Sequence, residues 1–106
     1  MAEWAVNTPP PDTISQEDLD DYMDVVQAAL EIHFERERVR QGLWKDYEAK
    51  DQVNTIKIKA DRIVRSFEIM NKNGSDVLHT EILNNVRDEL LDIINYANFA
   101  VRQLKA

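Results

Sequence analysis

The stretch Val86–Val101, VRDELLDIINYANFAV, decides the fold predicted for this chain. Its apolar residues recur every three to four positions, which is the period of an α-helix with one buried face. Between them stand Asp88, Glu89, Asp92 and Asn95. Successive residues of an α-helix are rotated by about 100°, so the two aspartates and the asparagine share one side, away from the main apolar line. Two interpretations follow: a solvent-exposed face, or a site that binds a metal or a polar ligand.

The helical period extends over most of the chain, and no segment alternates as a strand would. The pattern predicts helices over about 16–41, 52–71 and 80–104. Ser15 is the expected N-cap of the first helix, three arginines near residue 40 suit its negative end, and Gly42 and Gly74 are expected to adopt positive φ where helices stop. The predicted fold class is therefore all-α, an antiparallel bundle of three main helices plus a short connector helix, assembled as an oligomer.

Each predicted helix has an apolar line expected to form the core. On the first helix the line comprises Leu19, Tyr22, Met23, Val26, Ala29, Leu30 and His33. The second helix contributes Val53, Ile56, Ala60, Ile63, Phe67 and Met70. The line of the third helix is Leu83, Val86, Leu90, Ile93, Ala97, Ala100 and Leu104.

Length and composition limit the classes of protein that are possible. The chain has 106 residues, enough for one domain, with residues 1–13 predicted to form an extended proline-containing arm and 14–106 a single helical domain. There is no cysteine, which excludes thiolate metal sites and fits a reducing cytoplasm, that of a host cell if the chain is phage-encoded. A net charge of −7 opposes binding to nucleic acid or anionic lipid, and no signal or membrane-spanning segment is expected.

Charged residues at helical spacing supply the candidate chemistry. Glu89 and Asp92 form an ExxD pair whose carboxylates could share Mg²⁺ or Mn²⁺, although acidic helices contain this pattern by chance. Lys59 and Arg62 on the second helix could hold a triphosphate, or could simply pair with neighbouring acids on the surface. The chain has no Gly-rich phosphate loop, GxSxG elbow or HExxH motif, which excludes the enzyme classes that need them.

His33 and Glu37 lie one turn apart on the first helix. A His-Glu pair at this spacing could act as a general base or contribute to a metal site. The alternative is a histidine that is hydrogen-bonded in the core, and this is the commoner situation for a single core-facing histidine.

The sequences IKADRIVRSFEI and VRDELLDIINYANFAV, taken in this order, resemble a small nucleotide-modification-associated domain common in phage genomes. The matching positions are Lys59, Arg62, Ile63, Asp88, Asp92, Asn95 and Tyr96. The upstream Asp-Tyr-Gly of that family is similar to Asp46-Tyr47, where Glu48 replaces the glycine. The resemblance covers about residues 44–101 and implies that Lys59, Arg62, Asp88, Asn95 and Tyr96 contact a nucleotide.

That family is similar to the MazG-type all-α nucleoside triphosphate pyrophosphohydrolases, which hold Mg²⁺ with an ExxE pair and an ExxD pair on two helices. The resemblance implies that Glu89 and Asp92 are the ExxD half. This chain lacks the ExxE half, since the second helix has lysines there. Glu31, Glu35 or Glu37 of the first helix would have to substitute, and Glu35 and Glu37 are the candidate catalytic residues.

Two functions are therefore expected from the sequence. The first is an oligomeric nucleotide-binding protein, with a Mg²⁺- or Mn²⁺-dependent pyrophosphohydrolase activity that releases a monophosphate and pyrophosphate from a nucleoside triphosphate. The alternative is a non-enzymatic acidic phage protein that binds and inhibits a host protein or mimics DNA. Its basis is the net charge, the acidic side of the first helix and the incomplete set of metal ligands.

Overall fold

The computed structural model describes residues 14–73 and 76–104, and these residues form three packed α-helices and no β-strand. They are α1 (Gln16–Arg40), α2 (Ala49–Asn73) and α3 (Asp76–Leu104), with a 3₁₀ helix at Leu43–Asp46 between α1 and α2. The all-α fold class is thus confirmed. None of the three described helices is both long and apolar enough to cross a bilayer. The proline-containing arm and Gly74 lie outside the described residues.

Local side-chain contacts explain where the helices begin and end. The Ser15 hydroxyl accepts a hydrogen bond from the backbone N–H of Asp18 at 3.1 Å, which confirms it as the N-cap of α1. Gln41 (φ 43°) and Gly42 (φ 75°) both take the left-handed conformation, and they end α1. α2 begins three residues earlier than predicted because the Asp51 carboxylate accepts the Glu48 backbone N–H at 2.9 Å, which ties down the start of the helix.

We expect Ser15→Ala to lower the free energy of unfolding by about 1 kcal/mol, because the substitution leaves a first-turn N–H of α1 without its acceptor. Urea denaturation followed by circular dichroism measures this. Ser66→Ala is the matched control: its hydroxyl donates to the Arg62 carbonyl within α2, where alanine is the better helix former. Equal losses in both variants would contradict a specific capping role for Ser15.

α2 and α3 lie side by side in opposite directions. Lys59 Nζ contacts Asp92 at 3.2 Å, and the Met70 carbonyl contacts His79 Nε2 at 3.1 Å, so higher residue numbers on α2 meet lower numbers on α3. α1 packs on α3, where the Asn95 side chain donates to the Ala29 carbonyl at 2.9 Å. All three helices therefore meet around the middle of α3, and Asp92 lies there.

The buried apolar core is small. Its members are Ala29, Ile63, Val86, Leu91, Phe99 and Ala100. Many residues predicted for the core are exposed to solvent in a single copy of the chain, so the prediction was wrong for them. They are Leu19, Tyr22, Met23, Val26, Leu30, Val53, Phe67, Leu83, Leu90, Ala97 and Leu104. The physical reason is that α3 is apolar on more than one side and its two neighbouring helices cover only part of that surface, so Val86 is buried while Leu83 and Leu90, three and four residues away on the same side, are exposed.

Candidate functional site

The Asp92 carboxylate lies at the meeting point of the three helices. It is 5% exposed, and its Oδ2 accepts hydrogen bonds from Lys59 Nζ of α2 at 3.2 Å and from Arg36 Nη2 of α1 at 3.1 Å. A buried carboxylate is stable when it is paired and hydrogen-bonded, which is the case here. At this residue the polar stripe of α3 is therefore internal and does not form a solvent-exposed face.

Glu89 lies one turn earlier on α3 and shares the same lysine. Lys59 Nζ is 3.6 Å from Glu89 Oε2, and Arg62 Nη1 is 4.0 Å from Glu89 Oε1. The ammonium of Lys59, a residue only 9% exposed, is thus in contact with both members of the predicted metal-binding pair. A divalent cation held by both carboxylates would have to displace that ammonium.

A third metal ligand is also missing nearby. Within residues 14–73 and 76–104 no three His, Cys, Asp or Glu side chains come together as a candidate metal group. In this arrangement of the helices, the Lys59 ammonium occupies the position between the two carboxylates that a shared cation would take. Glu89 Oε2 is buried and has no hydrogen-bond partner among the described residues, so it is held only by the longer contact to Lys59.

This ion-pair cluster carries more positive than negative charge. Arg36, Lys59 and Arg62 are paired with only two carboxylates, those of Glu89 and Asp92. One positive charge remains in excess, and the side chains of Arg36 and Arg62 are 43% and 60% exposed. This excess is local, because the first of the two cavities beside the cluster also carries Glu37 and Asp51, and the second carries Asp88.

A cavity of about 280 Å³ opens beside Asp92, between α1, the 3₁₀ helix and the hairpin of α2 and α3. Its walls combine five aromatic rings with charged and polar side chains. The aromatic residues are His33, Trp44, Tyr47, Tyr96 and Phe99, and the charged residues are Arg36, Arg40, Glu37, Asp51 and Asp92. Gln52, Thr55, Asn95 and Leu43 complete the lining.

Phe99 organises the aromatic wall of this cavity. Its ring stacks on Trp44, with centroids 4.5 Å apart and planes 12° apart, and Tyr96 meets it edge-on at 5.8 Å. The His33 ring lies 5.1 Å away in a tilted arrangement. Trp44 is held in place through its carbonyl, which accepts from the Gln52 side chain at 3.0 Å and from the Gln103 side chain at 3.2 Å. The wall is therefore built by residues from α1, the 3₁₀ helix and α3.

The predicted site residues divide between this cavity and a second one of about 350 Å³. Glu37, Asn95 and Tyr96 line the first cavity, and Arg62, Asp88 and Glu89 line the second. Asp92 and Arg36 line both, so their ion pair separates the two spaces. Lys59 lies behind Asp92, with its ammonium 5.8 Å from the centre of the Tyr96 ring. Glu35 is exposed and lines neither cavity.

Sequence reasoning missed several residues of the first cavity, among them Arg36, Arg40, Trp44 and Phe99. The arginines were interpreted as groups that complement the negative end of α1. The position of Arg40 was nevertheless informative. It follows His33 and Glu37 at intervals of four and three residues, so the three side chains share a side of the helix. Trp44 and Phe99 are brought together by contacts distant in sequence, and no local pattern indicates that pairing.

No protein-family model, curated protein or solved structure matches this chain.

Proposed function

We propose that this protein binds a nucleotide in the cavity beside Asp92. The observation that carries the proposal is the combination, in one cavity, of a stacked aromatic wall and two arginines, Arg36 and Arg40. Aromatic rings bind the faces of planar bases, and guanidinium groups bind phosphate oxygens in a bidentate manner.

The size of the cavity indicates which part of the ligand lies inside. Small-molecule sites usually measure about 300–1,000 Å³, and this cavity of about 280 Å³ is at the lower end of that range. It accommodates a base with part of a sugar. The phosphates would then lie at the rim, near Arg40 and the exposed part of Arg36, the two cations of a lining that also carries the carboxylates of Glu37, Asp51 and Asp92.

Two residues of the motif resemblance support this assignment. Asn95 donates its amide hydrogen to the Ala29 carbonyl, which leaves its own Oδ1 as an acceptor for an exocyclic amine of a base. Tyr96 lies beside it on the same wall. Lys59 and Arg62 act here through the cluster rather than by direct contact inside the cavity.

Pyrophosphohydrolysis with Mg²⁺ or Mn²⁺ is the more specific part of the proposal. It requires Glu89 and Asp92 to exchange the Lys59 ammonium for a metal ion, and a glutamate to accept a proton from water. Glu37 lines the cavity and is placed better for that role than Glu35. Nucleotide binding does not depend on this exchange, so the two parts of the proposal are tested separately.

Arg40→Gln should weaken binding of a nucleoside triphosphate about tenfold, because it removes one charge-assisted contact worth roughly 1.5 kcal/mol. Isothermal titration calorimetry with a panel of ribo- and deoxyribonucleoside mono- and triphosphates, with and without Mg²⁺, measures this. Arg38→Gln is the matched control, because Arg38 is exposed two residues earlier on the same helix and lines neither cavity.

Absence of binding by every member of the panel would contradict the proposal. Equal effects of Arg40→Gln and Arg38→Gln would place the ligand outside this cavity. Pyrophosphate release measured on the same samples tests the hydrolase part: binding without release leaves a nucleotide-binding protein, whereas release that requires Mg²⁺ or Mn²⁺ supports the exchange of Lys59 for metal.

A further inference from the structure

An apolar stripe runs along the first three-quarters of α1 with no cover from the other described helices. It consists of Leu19, Met23, Val26, Leu30 and Phe34, which are 40%, 52%, 37%, 38% and 57% exposed. The first four are spaced by four, three and four residues, which is the alternation that places side chains along the contact line of two paired helices. A stripe of this kind on a soluble helix normally packs against another helix.

The contact between α1 and α3 leaves this stripe free. α1 faces α3 through Ala29, which is only 2% exposed, and through His33, whose ring contacts Phe99. At about 100° per residue, the stripe lies about 60–140° around the helix from Ala29. It is therefore a separate surface beside the contact with α3.

The charges on α1 are divided between its two ends. All charged residues from position 17 to position 35 are acidic: Glu17, Asp18, Asp20, Asp21, Asp24, Glu31 and Glu35. The last turns carry Arg36, Arg38 and Arg40 together with one carboxylate, Glu37. Among these arginines only Arg36 forms an ion pair within the described part of the chain. A helix with an acidic first half and a basic end is complementary to an antiparallel copy of itself and repels a parallel copy.

We propose that the stripe is the interface of a two-fold symmetric dimer, in which α1 of one copy packs antiparallel against α1 of a second copy. With the axis near Val26, Leu19 faces Phe34 of the other copy and Met23 faces its Leu30. The same register brings Arg38 level with the acidic first turn of the other α1. Because the dimer has a two-fold axis, each of these contacts occurs twice, as in any isologous interface. The proposal does not depend on nucleotide binding.

Sedimentation equilibrium of the full chain tests the assembly. The parent protein is expected at about twice its chain mass of 12.4 kDa. Met23→Lys combined with Leu30→Lys should weaken dimerisation at least a hundredfold and give monomer at micromolar concentration. Val39→Lys is the control, because Val39 is 84% exposed on the opposite side of α1 and should leave the dimer intact.

The absence of cysteine allows a second test that does not depend on destabilising the interface. Oxidation of a mixture of Leu19→Cys and Phe34→Cys chains should give disulfide-linked dimers that contain one chain of each kind. Each variant alone should remain largely uncrosslinked. Crosslinking of a single variant with itself would overturn the antiparallel arrangement.

A monomeric parent protein would overturn the proposal and assign the stripe to another segment or another protein. A parent dimer that persists in the doubly substituted, folded variant would also overturn it, because the interface would lie elsewhere. If the double lysine variant does not fold by circular dichroism, the mixed disulfide decides the outcome. Nucleotide titration of the monomeric variant distinguishes failure of this proposal from failure of the proposed function.

Discussion

The Asp92→Asn substitution is expected to lower the free energy of unfolding by about 3 kcal/mol relative to the parent protein. Removing one partner of a buried ion pair usually lowers stability by roughly 3–5 kcal/mol, because the remaining charge stays desolvated without compensation. Here Lys59 keeps a weaker contact with Glu89, and Arg36 can turn towards solvent, so the lower end of that range applies. Urea denaturation at one fixed protein concentration measures the loss.

Asp88→Asn makes the same chemical change one turn earlier and serves as the control. The Asp88 side chain is 64% exposed and its contact with Arg87 is 3.7 Å, so its substitution should change stability by less than about 0.5 kcal/mol. Combining Asp92→Asn with Lys59→Met should lower stability by less than the sum of the two single changes, since the partners are coupled. Additive effects would show that Asp92 and Lys59 do not stabilise each other.

The stability of Asp92→Asn also affects how functional experiments are interpreted. Asp92 is a predicted metal ligand, and loss of activity in this variant could come either from a missing ligand or from the loosened junction of three helices. Comparing binding with the fraction folded, measured on the same sample, separates the two causes. Arg40→Gln is the cleaner functional variant, because Arg40 is exposed and forms no ion pair within the described residues.

Phe99→Ala is expected to lower the free energy of unfolding by about 3–5 kcal/mol, the usual loss for a buried phenylalanine. Phe99 is 7% exposed, and its ring contacts Trp44, His33 and Tyr96 at once. Its removal leaves the Trp44 indole without its aromatic stacking partner, so that Arg102, 4.5 Å from the ring centre, remains its cationic contact, and it widens the cavity. Denaturation curves measure the stability, and the same variant should bind nucleotide more weakly under conditions where it remains folded.

Val101→Ala is the comparison for this variant. Val101 lies two residues further along α3 and is 53% exposed, so its truncation should change stability by less than about 0.5 kcal/mol. A loss below 1 kcal/mol for Phe99→Ala would show that the aromatic contacts contribute little to the fold.

The helices and their ends were largely predictable because short-range contacts determine them. The Ser15 cap involves residues three positions apart, and the left-handed Gly42 follows from the backbone freedom of glycine. The early start of α2 at Ala49 was missed, although the Glu48–Asp51 contact that explains it is equally local. Acidic residues compatible with a helix start are common in this chain, so the pattern alone did not indicate this one.

The covered faces of the helices were not predictable from the period of apolar residues. Periodicity identifies an apolar side, but α3 has several, and Leu91 and Phe99 are buried while Leu83 and Leu90 are exposed. Which side is covered depends on how α1 and α2 cross α3. That crossing is set by contacts between distant residues, such as Asn95 with Ala29.

The candidate site was predicted only in part, because contacts between residues distant in sequence also determine its arrangement. Lys59, Arg62, Glu89 and Asp92 were selected by charge and spacing, and the structure does bring them together. Pairing with neighbouring acids was one of the two alternatives for Lys59 and Arg62, but the sequence pattern did not indicate that the acids are Glu89 and Asp92 or that Lys59 is buried. Arg36 joins them only because α1 crosses α3 at that point.

The connector between α1 and α2 has a mechanical consequence. The Trp44 carbonyl accepts from Gln52 of α2 and from Gln103 of α3, and Gln103 also donates to the Tyr47 carbonyl. The connector therefore lies across α2 and α3 and is hydrogen-bonded to both helices. If α2 and α3 move apart, the Trp44 carbonyl must lose its hydrogen bond to one of them, and the indole then moves with the helix that remains bonded. In a Trp4→Phe variant, where Trp44 is the single tryptophan, its emission would thus report the separation of α2 and α3, and a ligand bound to the indole would resist that separation.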